Sequence, residues 1–230
     1  MTTWMKVARF HLVDRFSYTA MPWAVLAIAF VISLTIADAE RGGGSAQIAT
    51  GAVAAIYVFF FAVGILNIGQ SLPFAFALGV SRRSYYAGTA MLAVSLAAVY
   101  GLALALLQVI EQASGGWGIG LHFFRVAYIL PGPWYLTWLT SLVLLALMFV
   151  CGMWVGLIYR RWGLLGLLAF AVVLVIALVV GVVAISNAEA WPSLGQFFTT
   201  LSTAGLTGLL AAFAIALLAG GYATMRHVTV

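Results

Sequence analysis

Long apolar stretches, separated by short polar ones, occupy most of the chain. Six of them, at about 19–37, 49–72, 89–110, 135–158, 164–185 and 204–225, approach or exceed the roughly 20 residues a helix needs to cross a hydrocarbon core. The pattern predicts an all-α integral membrane protein: one domain, 1–230, with six transmembrane helices. Pro22 falls in the first turn of the first span, where its missing amide hydrogen does no harm. Pro73 is expected to stop the second span. Residues 2–18 are too charged to cross: Trp4, Val7, Phe10, Leu12, Val13 and Phe16 alternate with Lys6, Arg9 and Arg15, as in a helix lying along the membrane interface. The connecting segments are 38–48, a loop at 73–88, and the stretches 111–134 and 186–203. His122 and Arg125 interrupt the 121–130 portion, so 111–134 fits either an external cap or a partly re-entrant segment.

Composition narrows the class. Hydrophobic residues make up 65% of the 230 and charged residues only 7%, where a soluble domain carries roughly a quarter charged. A chain with so few charges cannot cover a water-facing surface, which excludes a disordered chain, a coiled coil and an ordinary soluble enzyme. The net charge of +5 forms no basic stripe with interleaved aromatics, so it points to anionic lipid and away from nucleic acid. The single Cys151 cannot form an internal disulfide, and the first apolar run carries no small-residue cleavage site of a signal peptide. With the N-terminus in the cytoplasm, Lys6, Arg9, Arg15, Arg82, Arg83, Arg160, Arg161 and Arg226 lie inside, and only Arg41 and Arg125 outside. The positive-inside rule therefore predicts a multi-pass protein with both termini cytoplasmic.

The spans carry little chemistry. None has an Asp, Glu, Lys or Arg near its centre, which disfavours an ion-coupled carrier. His11, His122 and His227 are scattered without ligand-like spacing, and no phosphate-binding loop or catalytic dyad is present. No catalytic, cofactor or metal residues are expected. The polar candidates within spans are Asn67, Gln70 and Gln108; each either makes a helix–helix hydrogen bond or lines a pathway. Gly152 and Gly156, and Gly205 and Gly208, permit close helix approach.

The loop Pro73-Phe-Ala-Phe-Ala-Leu-Gly-Val-Ser-Arg-Arg-Ser-Tyr-Tyr-Ala-Gly-Thr89 is the most informative segment. A short apolar stretch, Phe74 to Leu78, breaks at Gly79 and is followed by Val80, Ser81, Arg82 and Arg83. A plain loop has no use for two phenylalanines and a leucine in water, so these residues lie against the membrane surface or fill a pocket on a partner. The pattern Phe76-Ala-Leu-Gly-Val-Ser-Arg-Arg-Ser-Tyr-Tyr86, with Gly115-Gly-Trp-Gly-Ile-Gly-Leu-His-Phe-Phe-Arg125 and Tyr159-Arg-Arg-Trp-Gly163, resembles an actinobacterial permease subunit of an exporter-type ATP-binding-cassette (ABC) transporter. The resemblance implies a bacterial plasma-membrane location and an N-terminal interfacial helix. It also implies a short cytoplasmic coupling helix centred on about 74–83, docked on a separate ATPase subunit. That partner would bind ATP and Mg and do the hydrolysis. The implied assembly has two ATPase copies and a second permease copy, identical or related. At the exit side, Trp191 to Thr200, with Pro192 starting it and Phe197 and Phe198 within, matches the place of a short or re-entrant helix. The apolar spans would then pass a hydrophobic or amphipathic substrate such as a lipid, peptide or drug. A non-transporting membrane anchor or sensory subunit of an ATPase complex is the alternative.

Overall fold

The computed structural model describes residues 20–40, 48–49, 51–124 and 133–225; the expected interfacial helix at 2–18 lies outside them. Among the described residues six α-helices follow one another: α1 (Met21–Glu40), α2 (Ala54–Ala77), α3 (Arg82–Ala113), α4 (Trp134–Asn187), α5 (Trp191–Thr200) and α6 (Thr203–Met225). The only strands among the described residues are β1 (Ile48–Ala49) and β2 (Leu121–His122), two residues each and paired in parallel. Five of the helices are long and apolar enough to cross a membrane.

Two boundaries differ from the sequence expectation for physical reasons. Helix α2 does not stop at Pro73 but carries it internally and ends at Ala77. A proline there leaves the carbonyl four residues back without its helical donor. That carbonyl belongs to Gly69, and Arg160 Nη2 donates to it at 3.1 Å. Helix α3 begins at Arg82, well before 89, because Ser81 caps it: its extended backbone and its Oγ, which accepts from Ser84 N at 3.2 Å, supply an N-cap. The stretch 73–88 is thus no long loop and holds no short helix of its own. It is the end of α2, a tight turn, and the first turns of α3.

The fifty-four residues of α4 are broken at Gly163, whose φ of 67° and ψ of −160° no helix contains and a side chain would resist. The expected spans at 135–158 and 164–185 are therefore the two limbs of one element, 134–162 and 164–187.

The first limb is the hub. Gly64 and Gly152 bring α2 and α4 into backbone contact, the Cα of one lying 3.1 Å from where a Cβ on the other would stand. Gly156 seats against Ile65 and Ile68 in the same way. Of the small residues read from the sequence, Gly152 and Gly156 thus serve a contact inside the chain, whereas Gly205 meets only Leu201 and Ser202 beside it and Gly208 has nothing within 4 Å. On another side, Trp138 Nε1 donates to Ala98 O of α3 at 3.1 Å. On a third, Thr140 and Thr207 hydroxyls meet at 2.7 Å and Trp154 Nε1 donates to Leu217 O at 2.7 Å, so α6 runs alongside in the same direction. The second limb has none of this packing. Its most apolar window has a mean hydropathy of 3.3 and none of it is buried, with Leu165 80% exposed. An all-round apolar helix without neighbours in its own chain is compatible with a helix in a membrane.

Candidate functional site

The turn between α2 and α3 is built from main-chain hydrogen bonds. Val80 N donates to Ala75 O at 3.0 Å and Gly79 N to Phe76 O at 2.9 Å, the paired bonds that close a helix through a left-handed residue. Gly79 is that residue, with φ of 74°. Ser81 then opens α3 at once, so the chain reverses within four residues.

This geometry sorts the residues singled out in the sequence. Phe74 in the last turn of α2 and Leu78, the residue that caps it, are exposed, 50% and 63%. Phe76, between them, turns inward and packs against the core; its ring stands 6.4 Å from Tyr85, and the Arg82 guanidinium lies 5.9 Å over it. Arg82 and Arg83 occupy the first two positions of α3 and are exposed. Positive charge at a helix N-terminus opposes the helix dipole, at a cost of a few tenths to about 1 kcal/mol each. Helix stability does not explain the pair. Two exposed apolar side chains and two exposed cations thus flank one tight, hydrogen-bonded turn.

Behind the turn, the neighbouring tyrosines of α3 point to different helices. Tyr85, fully buried, donates to Asn67 Oδ1 at 3.0 Å and meets Ser71 Oγ at 2.6 Å, so Asn67 makes a helix–helix hydrogen bond. Tyr86 donates to Leu218 O of α6 at 2.7 Å. Gln70 is exposed, away from this cluster.

No family model, curated protein or solved structure matches this chain. Its site has to be read from its own residues.

Charge is sorted along the bundle. Arg82, Arg83, Arg160 and Arg161, all the described cations apart from histidine, sit at the end that holds the turn and the Gly163 break. At the opposite end stand Asp38, Glu111 and Glu189.

At the acidic end the structure reveals a residue that sequence reading passed over. Glu111, in the last turn of α3, is fully buried. Its Oε2 accepts from Phe123 N at 2.8 Å, Phe124 N at 2.9 Å and Trp117 Nε1 at 3.1 Å, and His122 Nδ1 lies 3.9 Å from Oε1. The segment 114–124 is thereby pinned over the end of α3. Its Trp117, Phe123 and Phe124 rings surround Phe30 of α1 at 5.0, 5.2 and 6.0 Å. The arrangement is a cap stapled by a carboxylate, with donors satisfied in place of a chemical centre. Gln108, one turn earlier, is 3% exposed and its Oε1 has no hydrogen-bond partner.

The ten-residue helix expected at 191–200 is present as α5, with Pro192 in its first turn. Trp191, Phe197 and Phe198 are about half exposed, and Trp191 Nε1 donates to Ser186 Oγ at 3.0 Å.

Proposed function

We propose that this chain is the membrane-spanning permease subunit of an ATP-driven exporter of the ABC type. Counting the two limbs of α4 separately gives six spans, with both termini cytoplasmic in a bacterial plasma membrane. The turn at 78–81 couples the chain to a separate ATPase subunit, which binds ATP and Mg. Two such ATPases and a second permease copy complete the assembly.

The observation that carries this reading is the patch of Phe74, Leu78, Arg82 and Arg83 on a rigid turn at the cationic end. A lever must present an adhesive surface and must not bend. Phe74 and Leu78 supply apolar anchors, and the arginines supply charge for an acidic rim. The Gly79 closure and the Ser81 cap supply stiffness. In this reading Phe76 is part of the lever's body, since it packs inward. The substrate class follows from the apolar surface of the spans: a hydrophobic or amphipathic molecule, such as a lipid, peptide or drug.

Charge reversal at Arg82 and Arg83 together should leave membrane insertion intact and reduce substrate-stimulated ATP turnover of the purified complex at least tenfold. Gly79→Pro should do the same, because proline can neither adopt a φ of 74° nor donate to Phe76 O. Normal coupling in both variants would remove the turn from the mechanism. A complex that hydrolyses ATP but moves no cargo in reconstituted vesicles would instead favour a membrane anchor or sensory subunit.

A further inference from the structure

We infer that Tyr86 is the positioning residue that passes movement of the 78–81 turn to α6, while its neighbour Tyr85 fastens the same turn to α2. The inference rests on the permease reading and adds to it the helix that is driven.

Tyr85 and Tyr86 stand in the first turns of α3, separated from Arg82 and Arg83 by Ser84 alone. Their rings diverge. Tyr85 is fully buried and ends on Asn67 and Ser71, so α2 and α3 are tied on both sides of the turn. Tyr86, 7% exposed, reaches the C-terminal third of a different helix and donates to Leu218 O at 2.7 Å; its ring also lies 5.7 Å from Tyr222. That carbonyl sits within an intact helix, so it accepts a side-chain bond beyond its helical one.

The sequence of α6 is cut to receive this contact. A Cβ on Gly221 would come 2.7 Å from Tyr86 Oη and 3.2 Å from Trp154 Nε1, and one on Gly220 would come 2.9 Å from the Trp154 ring. Trp154 donates to the adjacent carbonyl, Leu217 O, at 2.7 Å. Two aromatic side chains from two helices thus grip consecutive carbonyls of α6. The Trp154 grip comes from the hub, which packs against α2 through backbone contact and is held in place. The Tyr86 grip comes from the turn. Any displacement of the turn relative to the hub therefore acts across α6 at Leu217–Leu218, where one hold stays and the other moves.

The test uses the complex purified from native membranes through a tag on this chain, in a Cys151→Ser background. Spin labels are placed separately at Ala77→Cys, beside the turn, and at Ala223→Cys on α6, both exposed positions. ATP with orthovanadate should change both spectra. Tyr86→Phe, which removes only the hydroxyl, should keep the Ala77 response and lower the Ala223 response at least twofold. Substrate-stimulated ATP turnover should fall with it. Tyr85→Phe should leave the Ala223 response in place. Gly221→Ala, which pushes α6 away from the hydroxyl from the other side, should reproduce the Tyr86→Phe result. A purely structural Tyr86 would lower the melting temperature and change neither ratio. An Ala223 response of full size in Tyr86→Phe overturns this inference and leaves the permease reading standing. Absence of any nucleotide response at Ala77 in the unsubstituted complex sinks both.

Discussion

Replacing Glu111 by alanine is expected to lower the melting temperature of the purified chain by about 10 °C. The carboxylate is fully buried and one of its oxygens receives three donors: the amides of Phe123 and Phe124 and the indole of Trp117. Alanine leaves all three without an acceptor, and a buried orphan donor costs about 1–3 kcal/mol. Even the low end of that range, summed to about 3 kcal/mol, corresponds to roughly 6–12 °C in a chain of this size. Glu111→Gln keeps one oxygen in place and should lose about half as much. Hydrogen exchange separates a local from a global effect, since the amides of 116–124 should exchange at least tenfold faster in the alanine variant. Exchange there that matches the unsubstituted protein would mean that the aromatic contacts with Phe30 hold the cap without Glu111.

The second large effect is expected at the contact between α2 and α4. A methyl group on Gly152 would run into the carbonyl of Phe61, and one on Gly64 into the carbonyl of Phe149. Both obstacles are backbone, which cannot swing aside as a side chain does. Forcing extra carbon into a packed site costs typically 1–3 kcal/mol and more where the neighbour is rigid. Gly152→Ala and Gly64→Ala should each lower the melting temperature by about 10 °C. The double variant should cost less than the sum, because the first methyl already separates the helices. Gly51→Ala, where a Cβ meets nothing within 4 Å, serves as the control and should melt as the parent does. Full additivity of the pair would show that the two glycines do not share one interface.

The course of the chain was readable where apolar runs are long and polar breaks are abrupt. The hydrophobic stretches correspond to α1 through α4 and α6, and Pro192 marked the start of α5. What the sequence hid depends on partners distant in the chain. Pro73 reads as a stop signal because proline removes a donor; that Arg160, ninety-one residues away along the chain, satisfies the orphaned carbonyl is invisible in the local sequence. The early start of α3 was legible in principle, since Ser81 followed by Ser84 is an N-cap pattern, but the two arginines between them read as loop. Phe76 could not be told from Phe74 until helical geometry set them on opposite faces. Glu111 looked like the polar edge of a span. Only the return of 117–124 over it turned a boundary residue into a buried one, and the signal available was the aromatic run Trp117, His122, Phe123, Phe124 following an isolated acid. Tyr85 and Tyr86 are adjacent in sequence and yet serve different helices, as a 100° turn per residue requires.

The bare second limb of α4 has a mechanical consequence. At about 1.5 Å per residue, residues 164–187 extend roughly 36 Å, more than the ~30 Å depth of an average hydrocarbon layer. With no side of its own chain holding it upright, such a limb placed in a bilayer would meet that excess by leaning, to a degree set by the bilayer's thickness. Gly163 is the pivot at one end and α5 the tether at the other. In a bilayer, acyl-chain length would thus become a variable of this chain's shape, felt through the limb that no other part of the chain covers.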